Sequence, residues 1–144
     1  KPLKNLNVAI FNGCRLLKEE EKDFPKKFKE LVKILNAKII DYEYDKMCCG
    51  LPLLYSNQEM AFKDRGAVKI KSAKNAGADV LTVFCPACFN ILEKSQFVVN
   101  IEGEKLPIMN YMELLCLAMG FSIDDFGAFL HRIPIDNIME KIEG

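Results

Sequence analysis

The hydrophobic pattern alternates between short, continuous apolar runs and longer stretches in which apolar positions recur three and four apart. "LNVAIFNG" (6–13) is a mostly apolar run ending in Gly, the pattern of a strand buried in a parallel sheet. After the charged "KEEEKD", Phe28, Leu31, Val32 and Leu35 fall at i, i+3, i+4 and i+7, which predicts a helix over about 25–36 lying on that sheet. "KIIDYEY" (38–44) reads as a second strand and "DKMCCGLP" as a loop punctuated by Gly50 and Pro52. Ser56 and Glu59 form an S-x-x-E capping box and Gly77 suits a C′ position, so a long helix is expected over about 57–76. "DVLTVF" (79–84) is the third strand. Cys85 then falls at an N-cap with Pro86 at N1, where the missing N–H costs nothing, and the helix they open runs to about Val98. "LPIMN" predicts a short fourth strand, Asn110 and Glu113 a second capping box whose helix Gly120 stops, and 136–142 a tail helix with Ile138, Met139 and Ile142 as its apolar face.

The resulting order, βαβαβαβα, predicts an α/β fold: one domain over residues 1–144, with a mostly parallel sheet of about four strands and helices on both faces. Strand order is not readable from the pattern. Half of the 144 residues are hydrophobic, enough for a core without disulfide staples, and no repeat, low-complexity segment or linker interrupts them. A first residue of Lys rather than Met leads to the expectation that this is a domain of a longer polypeptide. Twenty Lys plus Arg balance twenty Asp plus Glu, which removes the positive field of a nucleic-acid or anionic-membrane binder. No apolar run approaches the roughly eighteen residues of a membrane span, and the opening lacks a signal peptide's apolar stretch. A cytoplasmic protein is expected.

The six cysteines change the picture, because they are grouped: Cys14, the adjacent Cys48 and Cys49, Cys85 and Cys88, and Cys116. In a reducing compartment such grouping points to metal ligands or redox groups rather than structural bridges. In an open parallel sheet, ligands bind beyond the carboxyl ends of the strands. Cys14 follows the first predicted strand, Cys48 and Cys49 the second, Cys85 and Cys88 the third, so five thiols can converge at one edge. Cys85 and Cys88 also sit at a predicted helix N-terminus, whose N–H groups and macrodipole favour thiolates. One zinc ion takes at most four protein ligands, so a fifth cysteine is surplus for zinc and suggests a multi-iron centre.

The spacing C-x33-C-C-G-x34-C-P-x-C resembles the cysteine-rich "CCG" domain found in the B subunit of heterodisulfide reductase, with related domains in succinate and fumarate reductases and in glycolate and lactate oxidase iron–sulfur subunits. The likeness extends through "FNGC", "MCCG", "AGADVLTVFCPAC", the Gln of "LEKSQ", and the tail "LPIMNYMELLCLAMGFSIDDFGAFLHR". The resemblance implies that Cys14, Cys48, Cys49, Cys85 and Cys88 are the five ligands of a noncubane 4Fe-4S cluster, with zinc as the alternative in related domains. It implies an electron-transfer domain of an oxidoreductase, supporting reduction of a disulfide of the CoM-S-S-CoB type without a protein acid or base. The alternatives are a succinate or fumarate reductase domain passing electrons to quinone or thiols, and a structural zinc module. Flavoprotein and ferredoxin-like iron–sulfur subunits would be its partners, in a complex that is cytoplasmic or peripheral to a membrane. The family subunit carries two such domains. This chain corresponds to one, taken as the C-terminal, so whether it is active by itself as an enzyme is left open.

Blander readings stand beside these. Cys85 and Cys88 alone would also suit a thioredoxin-like dithiol, and Cys48 and Cys49 could be buried small hydrophobes. Cys116, among leucines at helical spacing, is expected to fill the core, as are Met109, Met112 and Met119. His131, the sole histidine, is expected to be structural, Tyr42, Tyr44 and Tyr55 to pack, and "KEEEKDFPKKFKE" to be solvated. No G-x-S-x-G, P-loop or G-x-G-x-x-G motif is present.

Overall fold

The computed structural model describes residues 3–12, 23–45, 47, 49–50, 52–101, 103–122, 124–125 and 131–143. Strand β1 (Asn7–Ile10) is followed by helix α1 (Phe24–Ile34) and strand β2 (Lys38–Ile40). A 3-10 turn (Pro52–Tyr55) leads into a composite helix α2, built from an α turn (Gln58–Met60), a π segment (Ala61–Gly66) and a regular helix (Ala67–Asn75). Then come β3 (Val80–Val83), α3 (Pro86–Val98), β4 (Ile108–Asn110), α4 (Tyr111–Ala118) and α5 (Asp136–Glu143). The predicted α/β architecture is therefore present. The strands are shorter than the apolar runs that announce them, because flanking apolar residues such as Leu6, Phe11 and Tyr42 pack in the core beyond the paired strand positions.

The four strands form one all-parallel sheet in the order β2-β1-β3-β4. Strand residues alternate between two apolar layers. Ala9, Leu81, Val83 and Ile108 face α2 and α3, whereas Val8, Ile10, Val80 and Met109 face α1, α4 and α5. The chain after β1 turns toward β2, while β3 lies on β1's other side. The point where the winding reverses is thus the gap between the carboxyl ends of β1 and β3. Ile10 pairs with Thr82 and Phe11 N–H donates to Thr82 O, so these two ends are level.

Local chemistry sets the helix ends. Asn110 Oδ1 accepts Met112 N–H at 2.9 Å and Glu113 accepts Asn110 N–H at 2.9 Å, the capping box expected for α4. At the start of α2 the cap is Asn57, not Ser56: Asn57 Oδ1 accepts Met60 N–H, while Ser56 N–H and O–H both turn back to Leu53 O. The 3-10 turn consumes Ser56 before the helix begins. Gly77, at φ 93°, ends α2 with Gly77 N–H on Lys74 O and Ala78 N–H on Ala73 O. Buried Gln96 exchanges two hydrogen bonds with the backbone of Leu106, at 2.8 and 2.7 Å, tying α3 to the segment entering β4.

Met109 is fully buried as expected, but Met112 and Met119 are exposed, because they occupy the outer face of α4. Tyr42 packs, whereas Tyr55 is solvent-facing and Tyr44 partly exposed. Cys116 is only half-buried.

Candidate metal centre

Helix α3 begins where β3 ends. Cys85 is its N-cap in an extended conformation (φ −81°, ψ 121°), Pro86 occupies N1, and Phe89 N–H bonds Cys85 O at 3.1 Å. Cys88 therefore lies at N3, one turn in and buried. The strand end is held from the other side by Asn110, whose Nδ2 donates to Phe84 O at 3.2 Å, and by Phe84 packing between Phe28 and Tyr111.

The second cysteine segment approaches from β2. Tyr42 O–H donates to Ile10 O at 2.9 Å, and Met47 N–H closes a turn on Tyr44 O. Gly50 then lies flat against α2 at φ 100°. A Cβ there would fall 2.8 Å from Arg65 Cβ and 2.9 Å from Ala61 O, so only glycine fits. The π segment of α2 is thus the surface against which the loop carrying Cys49 is pressed.

These two segments bring Cys49 and Cys88 together: both are buried and their Sγ atoms stand 3.5 Å apart. That is well beyond a disulfide bond of about 2.05 Å. It is close to the ~3.8 Å between two sulfurs bound tetrahedrally to one ion at about 2.3 Å. The Cys88 thiol is held above the ordinary cysteine range by its hydrogen bond with Cys49, by burial, and by the neighbouring sulfur charges. Burial and the neighbouring sulfurs oppose the macrodipole effect expected to favour its thiolate. A cation binding here would reverse that balance, so the thiol set suits a soft, sulfur-ligated metal.

Of the five predicted ligands the structure brings together Cys49 and Cys88, with Cys85 at the N-cap of the helix that carries Cys88 and packed against the same core. Cys14 and Cys48 lie outside the described residues. Among the described residues no group of three or more His, Cys, Asp and Glu side chains is arranged to hold a metal ion. A cavity of about 180 Å³ lies at the opposite, amino edge of the sheet, lined by Asp79, Pro107 and Lys141 among others, and has no cysteine.

A sequence profile of the cysteine-rich domain named CCG matches residues 8–93, a stretch that contains the five predicted ligand cysteines but not Cys116. The chain belongs to the CCG cysteine-rich domain family. This CCG domain is 32% identical, over 96% of its length, to the B subunit of the ferredoxin/F(420)H(2)-dependent CoB-CoM heterodisulfide reductase of Methanosarcina acetivorans. It is 31% identical, over 88% of its length, to the 8-methylmenaquinol:fumarate reductase membrane anchor subunit of Wolinella succinogenes. It covers 49% and 48% of those proteins, so it spans about half the length of the curated relatives it matches. A crystal structure of a hypothetical protein from Helicobacter pylori superimposes with a TM-score of 0.70 at 18% identity, covering 93% of this chain and 25% of that one, a likeness of fold. No helix among the described residues is long and apolar enough to cross a membrane.

Two features escaped sequence reasoning. His131 is nearly enclosed: its Nε2 meets Glu113 Oε2 at 2.5 Å, its Nδ1 lies 3.8 Å from Glu93 Oε2, and its ring stands edge-on to Phe89. Burial opposes its charge, yet the hydrogen bond and charge of Glu113, with Glu93 behind, raise its pKa. Glu93 also accepts the backbone N–H of Arg132, so α3, α4 and the segment entering α5 meet at one ionic knot. The other feature is Lys69, a lysine with no exposed surface. Nothing in the charge pattern singles out either.

Proposed function

We propose that Cys14, Cys48, Cys49, Cys85 and Cys88 together hold one noncubane 4Fe-4S cluster, and that the chain is an electron-transfer domain of a heterodisulfide reductase-like oxidoreductase. The observation that carries this reading is the 3.5 Å approach of the Cys49 and Cys88 sulfurs, which come from loops after different strands. Cys14 follows β1 in sequence, and β1 ends at the same gap; Cys48 is the chain neighbour of Cys49. In sequence, the two remaining thiols thus follow residues described at this edge. Likeness to the B subunit of a heterodisulfide reductase across nearly the whole chain supports the same assignment.

When bound, such a cluster would supply single electrons and open iron positions for a sulfur of the substrate. The chain's own contribution is geometric. The N-cap turn at Cys85, the proline at N1 and the bond from Asn110 fix two ligands on a rigid strand–helix junction. Gly50 lets the other loop press against α2, so that Cys49 reaches inward. Fixed ligands of this kind keep reorganisation small when the electron count changes. The substrate in this reading is a small mixed disulfide of the CoM-S-S-CoB type. The domain would work in a cytoplasmic or membrane-peripheral complex with flavoprotein and ferredoxin-like subunits, as one part of a polypeptide about twice its length.

The likeness to the fumarate reductase anchor subunit favours a second reading, in which electrons pass to or from a quinone. Anaerobic reconstitution followed by iron and acid-labile sulfide analysis tests the main proposal. About four irons and four sulfides per chain, falling sharply in C88S and C49S, are expected. One zinc per chain with no sulfide would replace the cluster by a structural site.

A further inference from the structure

Lys69 projects from α2 into the core beneath the loop that carries Cys48 and Cys49. Its Nζ donates to Tyr44 O at 2.5 Å and to Asp45 O at 3.2 Å. The same ammonium stands 4.0 Å from the centre of the Phe11 ring and 5.3 Å from that of Tyr42. Tyr44 O also accepts Met47 N–H, so the lysine is bonded to the carbonyl that closes the turn entering Cys48. Phe11 stands at the end of β1, three residues before Cys14. One ammonium therefore joins both chain segments that run from β1 and β2 toward predicted ligands.

A lysine is almost never fully buried unless its charge is compensated, and carbonyl oxygens together with aromatic faces provide that compensation. A methionine could fill the same volume without needing any of it. Gly50 meets Ala61 and Arg65 on α2, and Lys69 lies four residues further along that helix. The loop 44–50 is thus tied at both ends, by hydrogen-bond donation at Tyr44 and Asp45 and by close approach at Gly50. In sequence, the cysteine pair falls between the two ties.

We infer that Lys69 is a positioning residue for the cysteine loop: its ammonium locks the 44–47 turn and so sets where Cys48 and Cys49 enter the centre. The consequence for metal loading rests on the ligand set proposed above, whereas the locking of the turn does not. Hydrogen exchange of the chain as isolated reads the lock directly, because the Met47 amide is its reporter. In K69M that amide is expected to exchange about ten- to a hundred-fold faster, while amides of β3 keep their wild-type rates. K69R, which keeps charge and donors, should lie nearer the wild type. After anaerobic reconstitution, K69M should hold less iron than the wild type.

A folded K69M with wild-type Met47 exchange overturns the inference, as does a folded K69R that exchanges as fast as K69M. Should K69M not fold, the nitrogen-15 signal of the Lys69 ammonium in the wild type decides: slow proton exchange supports the lock, and free exchange overturns it. A wild type that binds no iron while its K69M variant loses Met47 protection would sink the cluster proposal and leave the role of Lys69 standing. Normal iron loading in K69M, together with unchanged Met47 exchange, would do the reverse.

Discussion

Cys49 and Cys88 are 39 positions apart in the chain, and their sulfurs are 3.5 Å apart in the fold. In metal-free protein a shift of roughly 1.5 Å would bond them. Mild oxidation should therefore consume two thiols and yield a Cys49–Cys88 bridged peptide in a non-reducing digest, and C88S should abolish that peptide. Recovery of bridges that never join these two would contradict the observed geometry.

Gly50 and Gly77 both have positive φ, but only Gly50 is crowded. G77A meets nothing within 4 Å, so its cost is backbone strain alone, about 1 kcal/mol. G50A adds a collision with Arg65 Cβ and the Ala61 backbone, and should cost about 2–4 kcal/mol. Urea unfolding of both variants checks the order. Equal losses would mean that the loop can lift from α2 freely.

His131 has a folded-state pKa raised above the unfolded value of about 6.5 by Glu113 and Glu93, against the opposing effect of burial. Its stabilising contribution is therefore complete below about pH 6.5 and disappears as pH climbs through the raised value. The stability difference between wild type and H131Q should be largest near about pH 6 and shrink toward alkaline pH. A difference that grows with pH would mean that the imidazole is neutral in the folded chain.

Thr82 is wholly buried in β3, and its Oγ1 has no hydrogen-bond partner among the described residues. Replacing an unmatched hydroxyl by a methyl group removes a desolvation cost, so T82V should stabilise by about 1 kcal/mol. Thermal unfolding measures it. A destabilised variant would point to a partner for that hydroxyl.

Much of the fold was legible because each element is announced by short-range chemistry. The Cys85-Pro86 helix start, the Asn110–Glu113 capping box and the Gly77 stop depend on residues within one turn of each other. Errors arose where a neighbour outside the window intervened. Ser56 was lost to a preceding 3-10 turn, and Met112 and Met119 face solvent because the sheet takes only one side of α4. The approach of Cys49 to Cys88 was foreseeable from their places after strands. The distance was not.

By itself the sequence determined the α/β class, the order of its elements and the edge of the sheet to which the cysteine segments run, since these follow from apolar periodicity and local capping. The tertiary structure alone decided the strand order β2-β1-β3-β4, the contact of Cys49 with Cys88, the enclosure of His131 by Glu93 and Glu113, and the burial of Lys69 under the cysteine loop. Each of these joins residues at least 18 positions apart, whose meeting depends on how whole helices pack across the sheet. No local pattern encodes such a meeting, because its energy exists only once both partners have been brought out of water together.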